Sequence, residues 1–131
     1  MNTADIQKVL GQRLAATPNI GTIVWPNKDA SLPERPYIVV DFVTTSREDD
    51  TLAGTATVET GFAMISVVSD LNTFATEGLT LAQTIADRFP KALRLPITGA
   101  TVLITKPSEI KQAYRDGVYW RTPVQVNYRA S

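Results

Sequence analysis

The side chains that could do chemistry in this chain of 131 residues are carboxylates, lysines and hydroxyls, because the sequence contains no histidine and no cysteine. Histidine is the usual proton-transfer group near neutral pH, and cysteine supplies thiolate nucleophiles and metal ligands. The common catalytic triads, disulfides and thiolate metal sites are therefore excluded. The sequence predicts a protein that is not an enzyme and that uses no cofactor.

Three short motifs resemble functional sites, and each lacks a necessary part. Ser108 and Lys111 form a Ser-x-x-Lys pattern, but the Ser-Asp-Asn and Lys-Thr-Gly companions found in penicillin-recognising enzymes are missing. Gly54 and Gly61 are not followed by the Gly-Lys-Ser/Thr of a phosphate-binding loop. The acidic run 48–50 is consecutive, whereas a Ca²⁺ loop spaces its carboxylates so that they converge. A connector, turn glycines and a solvated acidic loop are the preferred interpretations, and no metal site is predicted.

Asp41 interrupts the otherwise apolar stretch from Tyr37 to Thr45. A buried carboxylate is a candidate general base, but it is more often paired with a cation. We predict that Asp41 forms a register-fixing ion pair with Arg121, with Arg129 as the other candidate partner. A carboxylate enzyme centred on Asp41 or Glu59 stays open as an alternative, and it would need both groups to converge in a deep pocket.

Charge is divided unevenly along the chain, although the net charge is zero. Residues 1–87 carry 5 Lys or Arg and 11 Asp or Glu, a net −6, whereas residues 88–131 carry 8 and 2, a net +6. If folding keeps the two halves on different surfaces, copies of the chain can attract one another head to tail and close into a ring. If the two halves interleave, the asymmetry cancels in space.

Two amphipathic helices must support whatever surface the chain presents. Apolar residues at helical spacing between Thr3, a good N-cap, and Pro18 predict the first helix. A second apolar stripe starts at Asn72, includes Phe74 and ends before Pro90.

The remaining apolar segments have the composition or the alternation of β-strands. They are Ile20–Trp25, Tyr37–Thr45, Thr55–Ser69, Thr101–Lys106 and Val118–Tyr128. The second segment is nearly continuously apolar, which predicts a central strand covered on both faces. The third requires a bulge or bend near Gly61, and Pro123 suggests that the last is an edge strand or contains a bulge.

These elements predict one α+β domain spanning residues 1–131, with a single mainly antiparallel or mixed sheet and two helices packed on one face. Hydrophobic residues make up 44% and charged residues 20%, which is typical of a globular chain. No segment approaches the roughly 20 apolar residues that cross a bilayer, and the first residues lack the pattern of a cleavable signal. We expect a soluble protein with no membrane partner.

The pattern as a whole resembles the tail terminator proteins of long-tailed bacteriophages. The matching features are distributed along nearly the entire chain, and none is a catalytic motif. They are the helix ending Arg13-Leu14-Ala15-Ala16, the Trp25-Pro26-Asn27 turn, the strand start Pro36-Tyr37-Ile38-Val39-Val40, the Thr60-Gly61-Phe62 strand start, the helix end Ala86-Asp87-Arg88-Phe89-Pro90, and the closing segment 119–129.

This resemblance implies a subunit of the virion tail, assembled in the cytoplasm of the host bacterium, that forms a six-membered ring on the end of the tail tube. Such a ring halts polymerisation of the tube protein and offers its other face to the head-tail connector protein, and DNA passes through its channel with weak, sequence-independent contacts. The predicted subunit or tube interface combines an acidic hairpin with basic residues of the second half: Arg47, Glu48, Asp49, Asp50, Thr55, Lys106, Lys111 and Arg115.

Two further interpretations stay open. A head-completion or neck connector protein, or a tail tube subunit, can share this small α+β architecture. A nucleic-acid-binding module would use the basic residues near Tyr114, Tyr119 and Trp120, which could instead form a solvated strand face.

Overall fold

The computed structural model describes residues 1–27, 34–71 and 74–131. Within these ranges the chain forms two helices and eight strands. In chain order they are α1 (Thr3–Ala15), β1 (Thr22–Val24), β2 (Tyr37–Asp49), β3 (Thr57–Asp70), α2 (Ala75–Arg88), β4 (Arg94–Ile97), β5 (Ala100–Ile104), β6 (Glu109–Ile110), β7 (Tyr114–Asp116) and β8 (Tyr119–Ala130). Asn72, the predicted start of the second helix, lies outside the described residues.

Helix α1 begins one residue before its predicted start, because Asn2 rather than Thr3 caps it. The Asn2 Oδ1 accepts a hydrogen bond of 2.8 Å from the backbone N–H of Ala4. The buried residues of α1 recur every four positions at Ile6, Leu10 and Leu14, as the apolar spacing predicts. The Thr3 hydroxyl is therefore available for a contact with the sheet.

Helix α2 buries Gly78, Ala82, Ile85 and Ala86, but not Phe74. The prediction that Phe74 belongs to the apolar stripe is wrong. Its backbone is extended at the N-cap position, ahead of the first helical turn, and its side chain is 86% exposed. A stripe read at helical spacing does not continue into a residue that is not helical.

The strands form one mixed sheet in the order β1-β2-β3-β8-β5-β4, and β6 and β7 also pair with β8. Only the β1–β2 pair is parallel among these described pairs. The predicted α+β class and mainly antiparallel or mixed sheet are confirmed.

The β2–β3 hairpin carries the irregularity that the sequence predicts near Gly61, but the extra residue lies in the facing strand. The pairing passes from Thr44↔Gly61 to Ser46↔Thr60, which leaves Thr45 as the bulge. A Cβ atom on residue 61 would lie 2.3 Å from the Val43 carbonyl oxygen and 2.7 Å from the Tyr128 hydroxyl. Glycine is required here because these two groups approach the backbone closely.

Strand β8 is central, so the prediction that Pro123 marks an edge strand or a bulge is wrong. Pro123 pairs with Ser66 of β3, and its carbonyl accepts a 2.8 Å hydrogen bond from the Lys111 N–H on the other side. The N and C=O of one strand residue point to the same side. The missing N–H of Pro123 therefore falls at the gap between β6 and β7, where a donor is not needed.

The two helices pack on one face of the sheet, which we call the helix face. Thr3 of α1 contacts Glu59, Gly78 of α2 lies against Thr122, and both sheet residues share a face with the buried Val67. Tyr37, Val39, Asp41 and Val43 lie on the opposite, open face of β2.

Strand β2 is covered on both faces only at its first residues. The prediction that both faces are covered along the strand is therefore wrong. On the open face, burial falls from the buried Tyr37 through the half-buried Val39 to the exposed Asp41 and Val43. Asp41 is thus a solvated residue of the open face, which explains how a carboxylate is tolerated in an apolar strand.

Candidate assembly interface

The predicted acidic hairpin is the end of the β2–β3 ribbon. Strand β8 pairs with β3 only as far as Glu59, so residues 48–58 project beyond it, and we call them the hairpin arm. Because β2 continues to Asp49, the acidic run 48–50 lies at the junction of a strand and a turn rather than in a loop.

Asp49 holds the turn of the hairpin arm together. Its Oδ1 accepts hydrogen bonds from the Thr51 N–H at 2.8 Å and the Thr51 hydroxyl at 2.5 Å, and its Oδ2 accepts one from the Ala56 N–H at 3.0 Å. The Thr51 hydroxyl and amide, with Ala56, lower the pKa of the Asp49 carboxyl. Thr55 belongs to the same turn, since its N–H donates to the Thr51 hydroxyl oxygen at 3.0 Å. These residues have a structural role within the subunit.

Glu48 and Asp50 are exposed, and no hydrogen bond or ion pair engages either side chain within the described parts of the chain. Arg47 is used internally instead. Its Nη2 donates to the Met1 carbonyl at 3.2 Å, and its Nε lies 4.0 Å from the Oε1 of Glu59. Of the charged residues predicted around the arm, Glu48 and Asp50 are the ones left to contact another molecule.

Glu109 partly neutralises the predicted basic residues of the second half. The Lys106 Nζ lies 2.5 Å from one Glu109 oxygen, and the Lys111 ammonium donates to the other. These two hydrogen bonds lower the pKa of the Glu109 carboxyl to about 2. Lys106 and Lys111 therefore present less positive charge to a partner than their number in the sequence implies.

Arg115 and Arg121 lie at the β7–β8 hairpin. The Nε of the exposed Arg115 donates to the Gly117 carbonyl at 3.0 Å, and the Arg121 Nε lies 2.6 Å from the Oδ2 of Asp116. Arg121 is therefore paired within its own hairpin.

The predicted register-fixing pair of Asp41 with Arg121 does not form. Asp41 is level with Met64 and Gln125 across the sheet, four residues along β8 from Arg121. Arg129, the other candidate, is level with Ser46, on the far side of the bulge. With Asp41 in solvent, nothing requires it to be paired.

Among the described residues Glu59 is the buried carboxylate, and the sequence pattern did not single it out for that role. Its side chain is 1% exposed on the helix face, where Oε1 accepts a 2.7 Å hydrogen bond from the Thr3 hydroxyl. Glu59 belongs to the same set of alternate β3 positions as Gly61, Ala63, Ile65 and Val67, all of which are buried. That alternation is the signal that could have identified it. Asp41 and Glu59 lie on opposite faces and do not converge.

The described residues bring together no group of three acidic side chains that could hold a metal ion. None of the described helices is long and apolar enough to span a membrane. The arrangement presents charged turns and strand margins, which suit contacts with other protein chains.

Comparisons with known proteins agree with this picture. A family model described as "Phage tail terminator protein" matches residues 5–128. A search of curated proteins found no match. One solved structure, titled only by a sequence identifier, is 18% identical with a TM-score of 0.82, and the alignment covers 100% of this chain and 96% of that chain.

A second solved structure, the virion of a native gene transfer agent particle, contains a chain that is 15% identical with a TM-score of 0.67. The alignment covers 97% of this chain and 93% of the other. At these identities the two structures show a shared fold. Because the family model spans nearly the whole sequence, the resemblance seen in the sequence is confirmed: the chain belongs to the phage tail terminator family and is a structural component of the virion tail, where it associates with other tail and head components.

Proposed function

We propose that this chain forms a ring of six subunits that caps the tail tube. The ring stops addition of tube protein and provides the surface to which the head-tail connector protein joins. Assembly takes place in the cytoplasm of the host bacterium, and DNA passes through the ring with weak, passive contacts to its wall. The observation that carries the proposal is the family match over residues 5–128.

The distribution of charge supports a ring. The arm presents Glu48 and Asp50 to solvent, and Arg115 is exposed at the β7–β8 hairpin on the other side of β8. Surfaces of opposite charge at different places on one subunit favour head-to-tail contacts, which close into a ring when the rotation between neighbours allows it. Such complementarity sets register and association rate more than affinity.

The test is negative-stain electron microscopy of the purified protein, alone and mixed with tail tubes. We expect closed rings, and rings bound at one end of each tube. Tube protein polymerised with increasing amounts of the chain should stop at shorter lengths, whereas an equal amount of an unrelated small protein should leave the lengths unchanged.

Three results would contradict the proposal in different ways. Indefinite stacking of rings would indicate a tube subunit, and binding to the connector without binding to tubes would indicate a neck protein. A monomer that ignores tubes but binds DNA with steep salt dependence would indicate a nucleic-acid-binding module.

A further inference from the structure

We propose that the outer edge of β2 at residues 40–49, where β1 no longer pairs with it, receives the neighbouring copy, and that the β7–β8 hairpin of that copy docks there. We call this edge the receiving margin. This inference rests on the proposed ring and names the surfaces that build it.

The receiving margin begins where β1 ends. Strand β2 pairs with β3 from Tyr37 to Asp49, but on its other side it pairs with β1 only from Tyr37 to Val39. Within the described parts of the chain, the outer backbone groups of residues 40–49 therefore have no strand beside them. An unpaired strand edge is a template for another extended segment, whose main chain completes the hydrogen bonding.

An apolar groove of about 450 Å³ lies beside this margin. Trp25, directly after β1, and Phe42, on the helix face of β2, line it together with an exposed side of α1. Gly11 allows the close packing of that wall, since a Cβ atom there would lie 3.1 Å from the Trp25 ring. In a segment added along β2, every second side chain would point to the helix face, because alternate strand residues point to the same face. Those side chains would lie in this groove.

The charge of the receiving margin indicates which segment can dock on it. Asp41, Glu48 and Asp50 are exposed along the receiving margin and its continuation into the arm. The partner should therefore combine apolar side chains for the groove with positive charge for this margin. Leu52, fully exposed at the tip of the arm, does not qualify, because it would bring the acidic Asp50 against like charge.

The β7–β8 hairpin has the required combination. Tyr114 is 48% exposed and Val118 is 67% exposed, and Arg115 lies between them in sequence and is also exposed. Strand β7 pairs with β8 alone among the described strands, so its outer edge is also available for a main-chain contact.

The positions of these two surfaces produce a head-to-tail contact. In the order β1-β2-β3-β8, the receiving margin belongs to β2, and β7 lies on the far side of β8. Docking β7 of one copy on β2 of the next joins two different surfaces and continues the sheet from subunit to subunit. Contacts of this heterologous kind are the ones that build rings.

Cross-linking tests the contact, because the chain has no cysteine of its own. A double variant, Asp41→Cys with Arg115→Cys, treated with a short bis-maleimide, should give a ladder of covalent oligomers that ends at the size of the ring. Each single variant should give no ladder, and a mixture of the two should stop at dimers. The control pair is Asp41→Cys with Arg94→Cys, since Arg94 is exposed on β4, the strand at the other end of the sheet order from β1 and β2, and it is level with Arg129, eight residues along β8 from the part that pairs with β7.

A blocking substitution tests the groove separately. Ala15 is exposed, lines the groove and ends α1, where a positive side chain is favourable for the helix. Ala15→Arg should raise the protein concentration at half-maximal ring assembly by at least about tenfold, because it places a charge in an apolar contact. Ala16→Arg, one residue further along and outside the groove lining, should leave it unchanged.

The outcomes separate this inference from the proposed function. Rings that assemble normally with Ala15→Arg, or that give no ladder with the 41/115 pair, overturn the inference and leave the ring function standing. A wild-type chain that stays monomeric alone and on tail tubes overturns both.

Discussion

The Thr3 hydroxyl donates a 2.7 Å hydrogen bond to the Glu59 carboxylate and joins the first residue of α1 to the central strand β3. The other carboxylate oxygen is buried and has no hydrogen-bond partner among the described residues. Arg47 lies 4.0 Å from the bonded oxygen and also holds the Met1 carbonyl. A carboxylate close to a helix N-terminus is favoured by the helix dipole. This cluster therefore fixes where α1 starts relative to the base of the hairpin arm.

Removing the Thr3 hydroxyl should destabilise the fold. Thr3→Val keeps the shape of the side chain but takes a donor from a buried carboxylate, so we expect the free energy of unfolding to fall by roughly 1 to 3 kcal/mol. Urea denaturation followed by circular dichroism measures this. Thr3→Ser, which keeps the hydroxyl, is the control and should lose less than about 0.5 kcal/mol. Equal stability of the valine and serine variants would show that the hydrogen bond does not matter.

The close approach of the Val43 carbonyl and the Tyr128 hydroxyl makes Gly61 intolerant of any side chain. Gly61→Ala would place a Cβ atom 2.3 Å from the Val43 carbonyl oxygen, so the strands must separate locally, at a cost of about 3 kcal/mol or more. Gly54→Ala is the comparison, because nothing lies within 4 Å of its Cβ position and only its positive φ of 68° opposes the change, at about 1 to 2 kcal/mol. Thermal unfolding of both variants should rank Gly61→Ala as the less stable.

Periodicity in the sequence was enough to predict the elements that bury a regular stripe, but not the surroundings of single polar residues. The spacing of Ile6, Leu10 and Leu14 identifies α1 because helix geometry alone brings them together. Asp41 in an apolar strand suggested burial, although apolar neighbours in a sheet do not say whether a second layer covers the open face. The helices cover one face only, so Asp41 is solvated.

Positions that depend on neighbours distant in sequence could not be predicted from local pattern. Pro123 is tolerated in a central strand because β6 and β7 leave a gap beside it, which requires knowing the pairing of 109–116 with β8. Similarly, the sequence suggested that Lys106 and Lys111 carry positive charge available to a partner, but both form ion pairs with Glu109. The residues predicted to lie at the subunit or tube interface stay predictions.

The Glu109 carboxyl should titrate far below its ordinary range while both lysines are present. Its folded pKa of about 2 lies below its ordinary value of 4.5, so its stabilising effect is present above pH 4.5 and is lost as the pH falls towards 2. Replacing both Lys106 and Lys111 by Met should raise this pKa towards 4.5 and remove that part of the acid sensitivity. Carboxyl ¹³C NMR titration measures the pKa directly. Lys91→Met, an exposed lysine outside this cluster, should leave it at about 2.

Charge changes at two neighbouring acids of the arm should affect ring assembly differently. Asp50 is exposed and unpaired within the described residues, so Asp50→Lys should raise the concentration at half-maximal ring assembly by roughly 2- to 5-fold at low salt. This effect should largely disappear at about 0.5 M salt, where exposed charges are screened. Analytical ultracentrifugation at the two salt concentrations measures it.

Asp49→Ala provides the contrast, because Asp49 organises the turn through hydrogen bonds to Thr51 and Ala56. A methyl group accepts none of these bonds, so the arm should lose its shape and weaken assembly by a similar factor at both salt concentrations. Hydrogen exchange should show faster exchange at the Thr51 and Ala56 amides in this variant and not in Asp50→Lys. A salt-independent defect in Asp50→Lys, with these amides still protected, would mean that Asp50 contributes to the contact through something other than its charge.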